Sequence, residues 1–218
     1  MQNDVIKSFL SIQHNINKLK KPEQDVKIIS VSKTFAMDRI IPLINNGNIH
    51  FGENKVQEAT HKWNLIKKDN VDLKLHMIGK LQSNKARDAV TLFDYVHSLD
   101  SQKLANALAK SEYKLEKKLK YFIQVNVGQE RQKSGVPPDQ IDQFYNYCVK
   151  EVNLNVIGLM AIPPNDGNEE KHFSFLYEAN ASLGLKELSM GMSSDYNIAI
   201  KYNATFVRVG SLIFGKRA

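Results

Sequence analysis

Short apolar runs rich in β-branched residues alternate with longer stretches whose apolar positions recur every three or four residues. The short runs are VKIISVS (26–32), NIHFGE (48–53), LKLHMIG (73–79), FDYVHSL (93–99), KYFIQVNV (120–127), LNVIGLM (154–160), KELSMGM (186–192) and TFVRVG (205–210). Near-continuous apolar character suits strands covered on both faces, as in a parallel sheet. Helical periodicity fills the gaps. Residues 101–119 set Leu104, Leu108, Leu115 and Leu119 on one stripe, with Ser101 at the helix start. Residues 138–150 open with Pro138 and Asp139, a favourable first turn. Residues 168–183 space Phe173, Leu176, Tyr177 and Leu183 helically, and the first 20 residues form an extra amphipathic helix ahead of the first strand.

This cadence predicts an α/β protein with a parallel sheet and right-handed crossovers. Eight strands would close it as a (β/α)8 TIM barrel; a doubly wound open sheet is the alternative. No GxGxxG follows the first strand, which counts against a dinucleotide fold. Such barrels need ~250 residues, with a lower limit near ~200, so the 218 residues here are nearly used up by one. No low-complexity linker divides the chain. The expectation is a single domain over 1–218, with an N-terminal helix at 1–20 and the barrel at 26–218.

Charge changes the picture little. The net +7 comes from 30 Lys+Arg against 23 Asp+Glu, with lysines in short groups such as Lys114, Lys117, Lys118 and Lys120. Without a zinc-ligand pattern or an Arg-rich tail, a solvated surface is expected rather than a nucleic-acid face. The one cysteine, Cys148, excludes an intramolecular disulfide and reads as buried helix filler. The polar N-terminus is unlike a signal peptide, and the longest apolar run, VIGLMAI (156–162), is too short to span a bilayer. A cytoplasmic protein with no membrane partner is expected.

A parallel barrel carries its site at the carboxyl ends of its strands, and polar and glycine residues collect there. Lys33 follows the first run. Burial and neighbouring cations at that place would favour the neutral amine that forms an imine, although a lysine at a strand end can also simply snorkel. Ser193, Ser194 and Asp195 follow the seventh run and could cap the helix YNIAIKY. Gly191, Gly210 and Ser211 could bring backbone N–H groups close to an anion. Two such loops after strands seven and eight are the recurrent phosphate site of this architecture. Arg208, inside the last run, must be paired or hydrogen-bonded if buried. It is read either as half of a structural salt bridge or as a donor to a ligand. The six histidines show no short metal-ligand spacing and are read as core or surface residues.

The segments SVSKTF, HFGENKVQE, LHMIGKLQSNK, HSLDSQKLA, QVNVGQERQKSG, GLMAIPP, LSMGMSSDYNIAI and VRVGSLIFGKR occur in this order from about residue 26 onward. Together they resemble the signature segments of the pyridoxal phosphate homeostasis proteins. That family has a single barrel of the alanine racemase N-terminal type and binds pyridoxal 5′-phosphate (PLP). The resemblance implies that Lys33 holds PLP as a Schiff base, that Asn54 lines the cofactor site, and that Ile78 and Gly79 lie beside the ring. It places Ser193 and Ser194 in one phosphate loop and Gly210 and Ser211 in a second, with Arg208 facing the pyridine nitrogen. The family usually has glycine where this chain has Asn203 in the turn before the last strand; Asn tolerates the left-handed conformation, so the turn should survive.

A guanidinium can only donate. It should leave the ring nitrogen unprotonated and the ring a weak electron sink. Related racemases complete the site with a second domain that supplies a tyrosine base, whereas this chain ends eight residues after Gly210. The implied role is therefore non-catalytic: reversible PLP holding in vitamin B6 homeostasis, by a monomer that passes the cofactor to apo PLP-dependent enzymes. A weak PLP-dependent amino-acid racemase is the alternative, and nucleic-acid binding ranks last.

Overall fold

The computed structural model describes residues 2–130 and 132–215, without the side chains of residues 2 and 3. Met1 and residues 216–218, which the expected domain and N-terminal helix ranges include, lie outside the described residues. The described elements run α1 (Gln2–Leu19), β1 (Lys27–Val31), α2 (Met37–Asn45), β2 (His50–Glu53), α3 (Val56–Asp69), β3 (Lys74–Met77), α4 (Ala86–Leu92), β4 (Tyr95–Leu99) and α5 (Gln102–Leu115). They continue β5 (Lys120–Val125), α6 (Ile141–Asn146), β6 (Val156–Ala161), α7 (Glu169–Ser182), β7 (Glu187–Met192), α8 (Tyr196–Lys201), β8 (Phe206–Val209) and α9 (Ser211–Phe214). The strands close into a barrel in chain order, all parallel, with β8 returning to β1 through the pairs Lys27↔Phe206 and Ile29↔Arg208. Each expected apolar run coincides with a strand, and the closed barrel overrides the open-sheet alternative.

Two kinds of core hold the barrel. Outside it, strand and helix side chains form one cluster that includes Trp63, Phe51, Phe93, Phe173 and Phe214. Inside it, Ile29, Tyr95, Phe122, Met160 and Phe206 form a second. The extra helix α1 buries Val5, Phe9, Ile12 and Ile16, one stripe at helical spacing, and lies against α2, α8 and α9. Burying each such side chain stabilises the fold by about 1.5–3 kcal/mol relative to leaving it exposed.

The structure corrects two helix boundaries and the buried face of a third helix. The helix expected over 101–119 stops at Leu115, because Glu116 takes the left-handed conformation (φ 49°) and its N–H bonds Glu112. Leu119 is buried just ahead of β5, its N–H given to the Glu112 carboxylate at 2.6 Å, so its spacing imitated one more helical turn. Ser101 caps α5 as expected, accepting from the Leu104 N–H. The stretch 138–150 is composite: a 3-10 turn at Pro138–Gln140, then α6, then a π turn at Tyr147–Glu151. The π turn holds Cys148 in the core, where burial pushes its thiol up to about 12. On α7, Phe173 and Leu176 are buried, whereas Tyr177 is exposed and Leu183 is the C-cap. Buried Asn180 bridges instead, accepting from Leu159 N–H and donating to the Leu185 carbonyl, each at 2.9 Å.

Candidate functional site

A cavity of about 550 Å³ opens at the carboxyl ends of the strands. Its lining brings together Lys33, Asn54, Ile78, Ser193, Ser194, Arg208, Gly210 and Ser211, all expected from the sequence, with Val31, Phe35, Ile162, Met192 and Gly215. A small-molecule site is commonly of this kind and size, roughly 300–1,000 Å³. Gly79 is not in the lining. A Cβ built there would collide with the Asn54 backbone, so glycine lets the chain just after β3 approach Asn54 closely. Its contribution to the cavity is to seat Asn54.

Lys33 is partly buried on the turn after β1. That turn contains Thr34 in the left-handed region (φ 67°), a conformation costing about 1 kcal/mol or more for such a residue. Two acidic side chains brace it. Glu58 of α3 accepts from the Thr34 N–H at 2.6 Å. Glu53, fully buried at the end of β2, accepts at one oxygen from the Ser32 hydroxyl (2.8 Å), Lys62 (3.0 Å) and the Trp63 indole (3.0 Å). Lys62 also donates to the Ser32 carbonyl (2.9 Å) and to Glu58 (3.2 Å), so one ammonium ties α3 to both sides of the turn. Sequence reasoning assigned no role to Glu53, Glu58, Lys62 or Trp63. The i,i+4 pair Glu58–Lys62 and the buried charge in HFGE were the available signals.

Arg208 enters from β8 and is 4% exposed. It is held without a salt bridge among the described residues, so the structural ion-pair reading is corrected. One terminal nitrogen donates to the Ser189 carbonyl (2.8 Å) and the Ser189 hydroxyl (2.6 Å), and the other to the Ala161 carbonyl (2.8 Å). Burial lowers its pKa to about 10, against an upward pull from the Asp195 charge. At neutral pH it therefore remains a cation with its direction set by three acceptors.

The two loops behave differently. Gly191, at φ 90°, leads into Met192, Ser193 and Ser194. Asp195 does not cap α8 with its side chain; it accepts from the Met192 N–H at 2.5 Å and so closes the loop on itself. Burial raises the Asp195 carboxyl, partly opposed by that amide and by Arg208. The short α9 starts directly at Ser211, and its opening N–H groups lack intrahelical acceptors by geometry. A Cβ on Gly210 would come to 3.3 Å from both Cβ and O of Val31, so glycine fits the close passage of β8 beside β1. Phe35 stacks on Phe214 at 5.0 Å and walls this side. Asn203 adopts φ 61°, the left-handed turn expected of it.

The closed parallel barrel with its cavity at the strand carboxyl ends is a (β/α)8 barrel, and the family model described as "Alanine racemase, N-terminal domain", which matches residues 9–218, places it in the alanine racemase N-terminal type. The alanine racemase of Clostridium difficile 630 shares the fold (TM-score 0.76, 13% identity) over 99% of this chain and 57% of that one. Nearer relatives narrow the class. A pyridoxal phosphate homeostasis protein of Aquifex aeolicus is 37% identical over 215 residues, 94% of this chain and 93% of the relative. Another, of Pasteurella multocida, is 36% identical over 217 residues, 95% and 93% of the two chains. PipY of Synechococcus elongatus PCC7942, solved with PLP bound, superposes with a TM-score of 0.85 at 34% identity, covering 97% of this chain and 100% of that one. The chain belongs to the pyridoxal phosphate homeostasis protein family.

Proposed function

We propose that this protein binds PLP as a Schiff base on Lys33, releases it reversibly, and serves PLP homeostasis rather than turnover. The observation that carries the reading is convergence. An amine from the turn after β1, a guanidinium from β8 and two hydroxyl- and glycine-bearing loops line one cavity. This donor set fits the cofactor. Ser193, Ser194, Gly210 and Ser211 would hold the phosphate through hydroxyl and backbone N–H groups. Arg208 would meet the ring nitrogen, and Val31 and Ile78 would cover the ring with aliphatic surface. When bound, PLP supplies an aldehyde that condenses with an amine, and water or a competing amine can reverse that bond.

Two features favour holding over catalysis. A guanidinium cannot accept a proton from the ring nitrogen or hold one on it. Among the described lining residues, none besides Lys33 is an ordinary proton-transfer group: the rest are aliphatic, thioether, phenyl, amide, hydroxyl, guanidinium or glycine. A monomer that hands PLP to apo-enzymes in the cytoplasm completes this reading. No helix among the described residues is long and apolar enough to cross a membrane.

The test is an absorbance spectrum with added PLP, wild type beside Lys33→Ala, followed by borohydride reduction and peptide mass mapping. An imine band in wild type alone, with the adduct on the Lys33 peptide, is expected. Adducts scattered over surface lysines would overturn the site. Turnover of alanine or serine enantiomers above the Lys33→Ala level would overturn the non-catalytic role.

A further inference from the structure

Three histidines outside the cavity lining stand end to end inside the barrel. Nδ1 of His50 lies 2.9 Å from Nε2 of His76. Nδ1 of His76 lies 2.9 Å from Nε2 of His97. Nδ1 of His97 lies 2.8 Å from the Ser189 hydroxyl, which accepts from Arg208 at 2.6 Å. His76 and His97 have no solvent exposure. Tyr95 stacks on His76 at 4.2 Å, Phe122 stacks on His97 at 4.3 Å, and Phe206 meets both rings. The chain thus crosses from the cavity wall to the first residue of β2 at the amino end of the barrel.

The direction of this chain follows from counting hydrogens. A guanidinium only donates, so the Ser189 oxygen receives a hydrogen from Arg208. The serine has one hydrogen of its own to place, and His97 Nδ1 is the acceptor within reach. His97 must then carry its proton on Nε2 and give it to His76 Nδ1. His76 must in turn carry its proton on Nε2 and give it to His50 Nδ1. The opposite direction would leave the Ser189 hydrogen buried without an acceptor. Neutral rings are required, and the surroundings favour them. Burial, with His50 and His97 as further causes, holds His76 well below its ordinary pKa. Burial and Arg208 do the same for His97. Burial, helped by Lys27 and Lys74 and opposed by Asp25 and Asp94, lowers the His50 pKa to about 4.

We propose that Ser189, His97, His76 and His50 form a hydrogen-bonded relay polarised in one direction by Arg208, and that they are positioning residues for the guanidinium that meets the cofactor's ring nitrogen. Hydrogen bonds in a chain polarise one another. Ser189, already donating to His97, is therefore a stronger acceptor for Arg208 than an isolated hydroxyl. The positioning role rests on the PLP reading above; the polarity of the relay does not.

The experiment reads histidine tautomers by 15N–1H correlation NMR on 15N-histidine-labelled protein without PLP at pH 7. His50, His76 and His97 are expected as Nε2–H tautomers. An Nδ1–H tautomer at His76 or His97 overturns the relay. In Ser189→Ala the single-tautomer pattern should be lost at His97 and regained in Ser189→Thr; an unchanged pattern in Ser189→Ala overturns the assignment of polarity to this hydroxyl. If Ser189→Ala does not fold, the wild-type tautomers still decide. With PLP added, Ser189→Ala should shift the absorbance maximum of the bound cofactor and weaken binding roughly fivefold, the loss of about one hydrogen bond. An identical spectrum and affinity overturns the positioning role. Wild type that fails to bind PLP would sink the cofactor reading and leave the tautomer result standing.

Discussion

The two ends of the barrel are built from similar chemistry and put to opposite uses. At the carboxyl end, Lys33 and Arg208 share a cavity with serines and glycines. At the amino end, His50, Tyr95 and Phe206 pack ring against ring, with Lys27 over Phe206 at 5.0 Å and Lys120 over Tyr95 at 5.4 Å. Basic nitrogens sit between apolar walls at both ends. Inside, His76 meets His50 at one ring nitrogen and His97 at the other, leaving it with no unused donor or acceptor. The carboxyl end instead keeps about 550 Å³ beside its polar groups, roughly twice the 250 Å³ left between α1 and the Lys27–His50 edge of the amino end. Space next to polar atoms, more than polarity itself, separates the site from the core.

The sharpest way to break this contrast is to add one methyl group on each side. In Gly158→Ala the new Cβ would stand 1.9 Å from the Glu187 carbonyl oxygen and 3.0 Å from the Phe122 ring, inside the packed barrel. Backbone cannot retreat there, so a loss of about 3 kcal/mol or more is expected. In Gly210→Ala the nearest atoms of Val31 are at 3.3 Å. That change should cost about 1 kcal/mol of stability and act mainly on PLP affinity. Urea midpoints and PLP titrations of both variants check the pair. Equal losses of stability would show that the carboxyl end is as tightly packed as the barrel interior.

Acid probes the amino end next. The folded pKa values of His50, His76 and His97 lie below the unfolded value of 6.5. The unfolded chain therefore binds more protons as pH drops. Stability from these groups is fully present above pH 6.5 and is lost as pH falls toward the folded values, about 4 for His50. The limiting slope is about 1.4 kcal/mol per pH unit for each histidine. Chemical denaturation at pH 7, 6 and 5 should show a falling midpoint, with a shallower fall in His97→Gln. A flat profile between pH 6.5 and 5 would mean that these rings are not neutral and buried together.

The carboxyl end was far more legible in the sequence than the interior. Strand ends are marked by abrupt change: VSK, GEN, GMSSD and RVGS each interrupt an apolar run with glycine or polar residues. The architecture then says which ends face one another. His50, His76 and His97 lie in three different runs, and no short spacing links them. Barrel closure and strand register bring them into line, and neither register nor side-chain direction inside a barrel can be read from a run taken alone. Leu119 misled for a related reason: burial before a strand and burial on a helix leave the same mark at one position. The π turn around Cys148 was invisible because it continues helical periodicity with one added residue per turn.

The smallest expected effect tests whether the site is also held from outside the barrel, as the relay would hold it from within. Glu58 accepts from the Thr34 N–H, next to Lys33, and it also meets Lys62. Glu58→Ala removes both contacts from a partly exposed position, so it should cost at most about 1 kcal/mol of stability. Its larger consequence should be a threefold or so loss in Schiff-base formation with PLP, since the strained turn would spend less time in its native shape (about 0.7 kcal/mol). Glu58→Gln keeps an oxygen for the Thr34 N–H and should recover most of that loss, although the charge facing Lys62 is gone. Thr34→Gly relieves the left-handed backbone directly, so in that background Glu58→Ala should have a reduced effect. A full effect of Glu58→Ala in the glycine background would show that the carboxylate acts on Lys62 and α3, and that the bracing of Thr34 is incidental.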